Sequence, residues 1–247
     1  MKLTQLAVLI ALLSNNSAFA IKNGQDVAKL HLRAQGVAAI SAVDPNGEQQ
    51  SLCSGVFISD HLLLTAKHCV MDGLPLLTII DAKPLKSFLL APATKIRTSK
   101  ALDLALISYP ANTAKHFSNI ASSDPKISEL METRGFGGNE DPETSFAPLP
   151  LPGHAMELAA HYELFSLPAD SLQFRLHPTG AFSISGDSGS PVLNSKGELA
   201  GIMITYERLD ATDQYGNEWV QNTAISLNSD TAKSFVQNAS ADLIDAK

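Results

Sequence analysis

The chain has 247 residues, 45% of them hydrophobic and 17% charged, with a formal net charge of −7. An acidic balance with scattered lysines lacks the clustered cations that normally bind phosphates and gives no reason to expect a nucleic-acid partner. The length admits one large domain or two small ones, either able to bury a core without metals or many disulfides.

Met1-Lys2 gives a short positive start, Leu6 to Leu13 an apolar run, and Ala18-Phe19-Ala20 a small-x-small ending, so residues 1–20 read as a secretory signal peptide. The apolar run is too short for a permanent anchor, which takes about 20 residues. Cleavage after Ala20 would leave a chain beginning Ile21-Lys22-Asn23-Gly24, secreted or periplasmic and without an integral membrane anchor. Either compartment favours a bridge between the only two cysteines, Cys53 and Cys69.

Short apolar and β-branched runs then follow: Val37 to Val43, Gly55 to Ser59, Leu62 to Ala66, Leu76 to Ile80, Ile96 to Thr98 and Leu104 to Tyr109. Ser-Asn and Ser-Ser-Asp-Pro between Phe117 and Asp124 interrupt the pattern, dividing it into units 21–122 and 123–247. A polar, proline-rich stretch from Gly137 to Gly153 reads as a surface loop. Strand-like texture resumes at Met156 to Leu167, Leu172 to His177, Pro191 to Leu193, Leu199 to Thr205 and Trp219 to Leu227. This spacing predicts closed or stacked antiparallel sheets. Near the end Asp230 is positioned to cap a short helix, with Ala232, Phe235, Val236 and Ala239 at helical spacing.

The sharpest chemical signal is Gly186-Asp187-Ser188-Gly189-Ser190-Pro191. Glycines on either side of a serine let the backbone turn tightly and approach a substrate. Serine is a weak nucleophile at neutral pH; it needs an imidazole, and the imidazole needs a carboxylate to hold its tautomer. His68, in Thr65-Ala66-Lys67-His68-Cys69 at the end of a strand, is the best source of the base, and a bridge at Cys69 would steady it. Asp103 opens the strand Asp103-Leu104-Ala105-Leu106-Ile107 and offers the carboxylate. The other histidines, His31, His61, His116, His154, His161 and His177, read as structural or surface residues, and Trp219 as sheet core. No spacing among them makes a metal site, and no cofactor is expected.

These segments, together with Cys53-Ser54-Gly55 and Gly135-Phe136-Gly137, stand in the order seen in the trypsin-like, or chymotrypsin-type, serine peptidases, and the chain resembles that family over nearly its whole mature length. The resemblance implies an all-β fold of two six-stranded antiparallel β-barrels with a short C-terminal helix. His68 and Asp103 would come from the first barrel and Ser188 from the second. It implies an oxyanion hole from the backbone N–H groups of Gly186 and Ser188, and a Cys53–Cys69 disulfide beside the histidine. It also implies an activation pair in which the freed amino group of Ile21 meets the carboxylate of Asp187.

The substrate pocket departs from the family pattern. Phe182 stands where an acidic residue would select Arg or Lys, which argues against trypsin-type cleavage. Ile204, Thr205 and Tyr206 occupy the positions of a Ser-Trp-Gly pocket wall, so Ile204 brings no hydroxyl toward the triad aspartate. Ile184 lies where a further disulfide partner is common. The leading expectation is therefore an exported, monomeric serine endopeptidase, acting on protein or peptide substrates, with a preference for small or apolar side chains. The alternatives are a weakly active or inactive homologue serving as a protein-binding module, and an esterase.

Overall fold

A computed structural model describes residues 25–26, 36–43, 49–70, 76–80, 89–93, 95–136, 158–176, 186–212 and 218–244. The first sheet is built from β2 (Val37–Val43), β3 (Gln49–Phe57), β4 (Leu62–Thr65), β5 (Leu76–Ile80), β6 (Leu89–Pro92), β7 (Lys95–Thr98) and β8 (Ala105–Ser108), in the order β6-β5-β2-β3-β4-β8-β7. The second contains β1 (Gln25–Asp26), β9 (Leu130–Gly135), β10 (Leu158–Ser166), β11 (Ser171–Leu176), β12 (Pro191–Leu193), β13 (Leu199–Thr212) and β14 (Glu218–Ser226), in the order β1-β10-β11-β14-β13-β12-β9, with β9 also pairing with β10. All pairings between these strands are antiparallel.

The expected pair of six-stranded barrels is therefore corrected to two seven-stranded sheets. In the first, β6 and β7 are free edges among the described residues, so the sheet stays open. Pro92 ends β6 at such an edge, where a missing ladder donor is tolerated. In the second, β1 adds a strand on β10, through Gln25↔Ala159 and Asp26↔Leu158. Strands β1, β6 and β9 were not anticipated. In β9, Leu-Met-Glu-Thr-Arg-Gly, polar residues are buried: Thr133 bonds the Pro191 carbonyl at 2.8 Å, and Arg134 is paired with Glu132. The strand thus lacks an apolar pattern.

Two cores explain the unbroken apolar runs. Along β4, Leu63 enters a cluster with Ile40, Phe57, Ile107 and Tyr109, while Leu62 and Leu64 face a second with Leu106, Leu199, Ile202 and Ile225. Successive side chains of a strand point to opposite faces, so Leu62-Leu63-Leu64 reads as a triplet because both faces are buried. The second cluster joins the two sheets, and α1 (Asp230–Ile244) closes it with Ala232, Ala239 and Leu243.

The cap of α1 is Ser229 rather than Asp230: the Ser229 hydroxyl accepts the Ala232 N–H at 3.2 Å, and its carbonyl accepts that of Lys233. Asp230 opens the first turn. The connector is stitched to both sheets, by Ser118 N–H to the Phe57 carbonyl and by Ala121 N–H to that of Leu199, each 2.8 Å. The stretch from Gly137 to Gly153 lies outside the described residues. No helix among those residues is long and apolar enough to cross a membrane.

Candidate active site

Strand β4 ends at Thr65, and the buried Ala66 leads into one turn of 3-10 helix, Lys67–Cys69. Cys69 is bridged to Cys53 of β3, with Cα atoms 5.9 Å apart, so the turn carrying His68 is tied covalently to the neighbouring strand. Asp103, two residues ahead of β8, grips His68 twice. Its Oδ2 lies 2.6 Å from the ring Nδ1, and its Oδ1 accepts the His68 main-chain N–H at 2.9 Å. Burial pushes the Asp103 carboxyl upward, but the ring hydrogen bond, the His68 and Lys67 main-chain N–H groups and the imidazole charge outweigh it, and the group sits below the ordinary range. An ionised carboxylate at Nδ1 keeps the proton on that nitrogen and leaves Nε2 as the acceptor. The His68 side chain is 47% exposed, so this pair is not sealed inside the core.

Ser188 sits in the turn between residues 186 and 190. Gly186 (φ +97°) and Gly189 (φ +86°) are both in the left-handed region, which explains the two glycines. A side chain at Gly189 would collide with the Ser54 carbonyl and the Thr65 hydroxyl. Strand β13 holds the turn through Gly189 N–H to Met203 carbonyl at 2.7 Å and Met203 N–H to Ser190 carbonyl at 2.8 Å. Strand β3 holds it through Ser54 N–H to the Ser188 carbonyl at 2.8 Å. That carbonyl also lies 3.6 Å from Cys69 Sγ, which brings the histidine-bearing turn and the serine together. The Ser188 hydroxyl donates to the Ile204 carbonyl at 3.4 Å, a long bond that is readily given up.

Asp187 is fully buried, with Oδ1 against the Gly135 backbone, where a side chain at residue 135 would strike it. Its predicted partner Ile21 lies outside the described residues, as do Phe182 and Ile184. Ile204 is half-buried and packs against both cores, Thr205 is exposed, and Tyr206 stands on β13 opposite Asn222 of β14. The side-chain donor atoms of Cys53, His68 and Cys69 lie within 4.8 Å of one another, but both sulfurs are consumed in the disulfide, so the trio is not a metal-ligand set.

A second Ser, Asp and His gather at Ser59, Asp60 and His61. Both Asp60 Oδ1 (2.6 Å) and Ser59 Oγ (3.4 Å) meet the same ring nitrogen, Nδ1. A relay needs them on opposite nitrogens, so this group only tightens the β3–β4 turn. The residue that sequence reasoning passed over is Ser54. A serine between Cys53 and Gly55 in a buried strand is itself a polar anomaly, and that is the signal that points to it.

A family model described as Trypsin matches residues 21–216. The chain belongs to the trypsin family. Within that family it is 29% identical to snake venom serine proteinase 14 of Crotalus adamanteus over 171 residues, and 24% identical to snake venom serine protease PTLE1 of Gloydius halys over 174. Each alignment covers 62% of this chain and 66% of the relative, just under two thirds of its length. Among solved structures, a Glu endopeptidase in complex with MPD matches with a TM-score of 0.64 at 16% identity, covering 89% of this chain and 98% of that one. The serine endoprotease from Yersinia pestis matches at 0.59 and 18%, covering 88% and 65%. At such identities these structures speak for the fold alone.

Proposed function

We propose that this trypsin-family chain is a serine endopeptidase that hydrolyses peptide bonds through an acyl-enzyme. The observation that carries the reading is the two-point grip of Asp103 on His68, at 2.6 and 2.9 Å, beside a serine turn shaped by two positive-φ glycines. Nε2 of His68 takes the Ser188 proton as Oγ leaves Ile204 and attacks the carbonyl carbon. The protonated imidazole then gives that proton to the leaving amine. Water repeats the sequence and frees the acid. Negative charge gathering on the carbonyl oxygen is met by the N–H groups of Gly186 and Ser188; loss of one such donor costs about 3 kcal/mol.

The finer parts of the reading are export, activation and specificity. The family match begins at residue 21, and a disulfide stands beside the base, both in keeping with a chain cut after Ala20 in an oxidising compartment. The freed Ile21 amino group would meet the buried Asp187. With Phe182 in place of an acidic pocket residue, cleavage after small or apolar side chains is favoured over cleavage after Arg or Lys. Digestion of a peptide library read by mass spectrometry tests this directly. Cuts confined to Arg and Lys sink the specificity, and an uncut library together with no fluorophosphonate labelling of Ser188 sinks the activity.

A further inference from the structure

The fully buried Ser54 uses every polar group it has at the junction of the two sheets. Its main-chain N–H donates to the Ser188 carbonyl at 2.8 Å, and its own carbonyl accepts the Thr65 hydroxyl at 2.7 Å. Its hydroxyl oxygen accepts the Phe136 N–H at 2.9 Å and donates to the Gly186 carbonyl at 3.1 Å. An amide N–H can only donate, so the Ser54 oxygen must accept from Phe136. The single hydroxyl hydrogen is then committed to Gly186.

One residue therefore holds the carbonyls on both sides of Asp187. The chain between them includes the Ser188 N–H, and the other proposed oxyanion donor, the Gly186 N–H, is one residue's dihedrals from the first carbonyl. Gly186 at φ +97° has no side chain to limit its rotation, so something outside must set its peptide plane. We infer that the Ser54 hydroxyl is a positioning residue for the oxyanion donors, fixing the Gly186 peptide from the opposite sheet. This rests on the endopeptidase reading above but not on any choice of specificity.

Removing the hydroxyl leaves the Gly186 carbonyl and Phe136 N–H buried without it, and the turn relaxes to find other partners. In Ser54→Ala, kcat per active site, counted by fluorophosphonate titration, should fall roughly 10- to 100-fold with KM changed less than about twofold. Affinity for a peptide aldehyde, whose adduct carries the tetrahedral oxygen, should fall by the same factor. Ser54→Thr, which keeps the oxygen, should restore both. Fewer titratable sites with kcat per site and aldehyde affinity unchanged would mean a merely structural serine and overturn the proposal.

If the alanine variant does not fold, Ser54→Cys, with a weaker donor and acceptor, should show a smaller loss of the same kind, and no loss overturns the proposal equally. The amide resonances of Gly186 and Ser188 read the displacement without catalysis: shifts in the variant support the inference, and unmoved resonances overturn it. A wild type that neither cuts peptides nor binds the aldehyde counts instead against the endopeptidase reading.

Discussion

His68 stands on a turn fastened by a covalent bridge and gripped by a carboxylate, whereas Ser188 sits in a turn that hydrogen bonds tie to β3 and β13. The first arrangement fixes a side chain by acting on it directly. The second fixes a backbone and lets the side chain follow, which is why it needs glycines at two positive-φ positions and a buried serine from the other sheet. The histidine half should therefore tolerate disturbance of its surroundings as long as Asp103 remains. In the serine half, a change in the packed backbone should move the Ser188 side chain and the N–H groups of Gly186 and Ser188 at once.

The largest effect should come from either end of the proton path. Ser188→Ala and His68→Ala should each lower kcat about a millionfold, and the double variant should be no worse, because neither half works without the other. Losses that multiply in the double variant would show that the two act separately. Next comes Asp103→Asn, at about ten-thousandfold in kcat. Asparagine has one acceptor oxygen where Asp103 uses two, so either the ring or the main-chain N–H of His68 goes unserved. A loss below a hundredfold would mean that the bridge, not the carboxylate, orients the ring.

Stability measurements sharpen the comparison further. Gly189→Ala combines left-handed strain with overlap against the Ser54 carbonyl and should cost about 4 kcal/mol, or roughly 8–16 °C in Tm. Replacing Cys53 and Cys69 by serine opens a bridge spanning 16 residues and should cost about 3 kcal/mol. The folded fraction should keep kcat within about tenfold, since Asp103 still holds His68. A hundredfold fall would assign the positioning of the base to the disulfide.

The Cys53–Cys69 disulfide, the Asp103–His68 pair and the glycine-bounded serine turn were legible in the sequence because each depends on residue types that chemistry makes scarce: a serine between glycines, a histidine beside a cysteine, an aspartate just ahead of an apolar strand. Strands β2, β5 and β12 were legible to the residue because their ends coincide with changes of pattern. Strand β9 was not, since it buries Thr133 and Arg134 through specific partners that no periodicity reveals. The architecture is illegible for a different reason. Strand count and closure depend on which edges meet, and β1, a two-residue strand, leaves almost no trace in the sequence. Ser54 was hidden by its setting. Its importance comes from backbone groups 82 and 132 residues away, Phe136 and Gly186, and no local motif carries that information.

The smallest expected effect separates the two halves in acid. Asp60 is held below the ordinary carboxylate range by the His61 ring and the Asn112 N–H, and Glu129 by the Ser195 hydroxyl, the Lys126 N–H and the Ser195 N–H. A depressed carboxyl contributes stability that is fully present above its unfolded pKa, near 4, and is lost as pH falls through its folded value, because the unfolded chain then binds more protons. Asp103 adds a contribution of the same sign. Asp60 acts on the turn of the first sheet, and Glu129 ties the connector to the 194–197 turn of the second. Asp60→Asn and Glu129→Gln should each lower stability at pH 7 by less than about 1 kcal/mol, since both sites are partly exposed, and each should flatten the loss of stability below pH 4. Urea midpoints taken from pH 7 down to pH 3 would show this as a converging pair of curves, whereas curves parallel to the wild type would mean that neither carboxylate is engaged in solution.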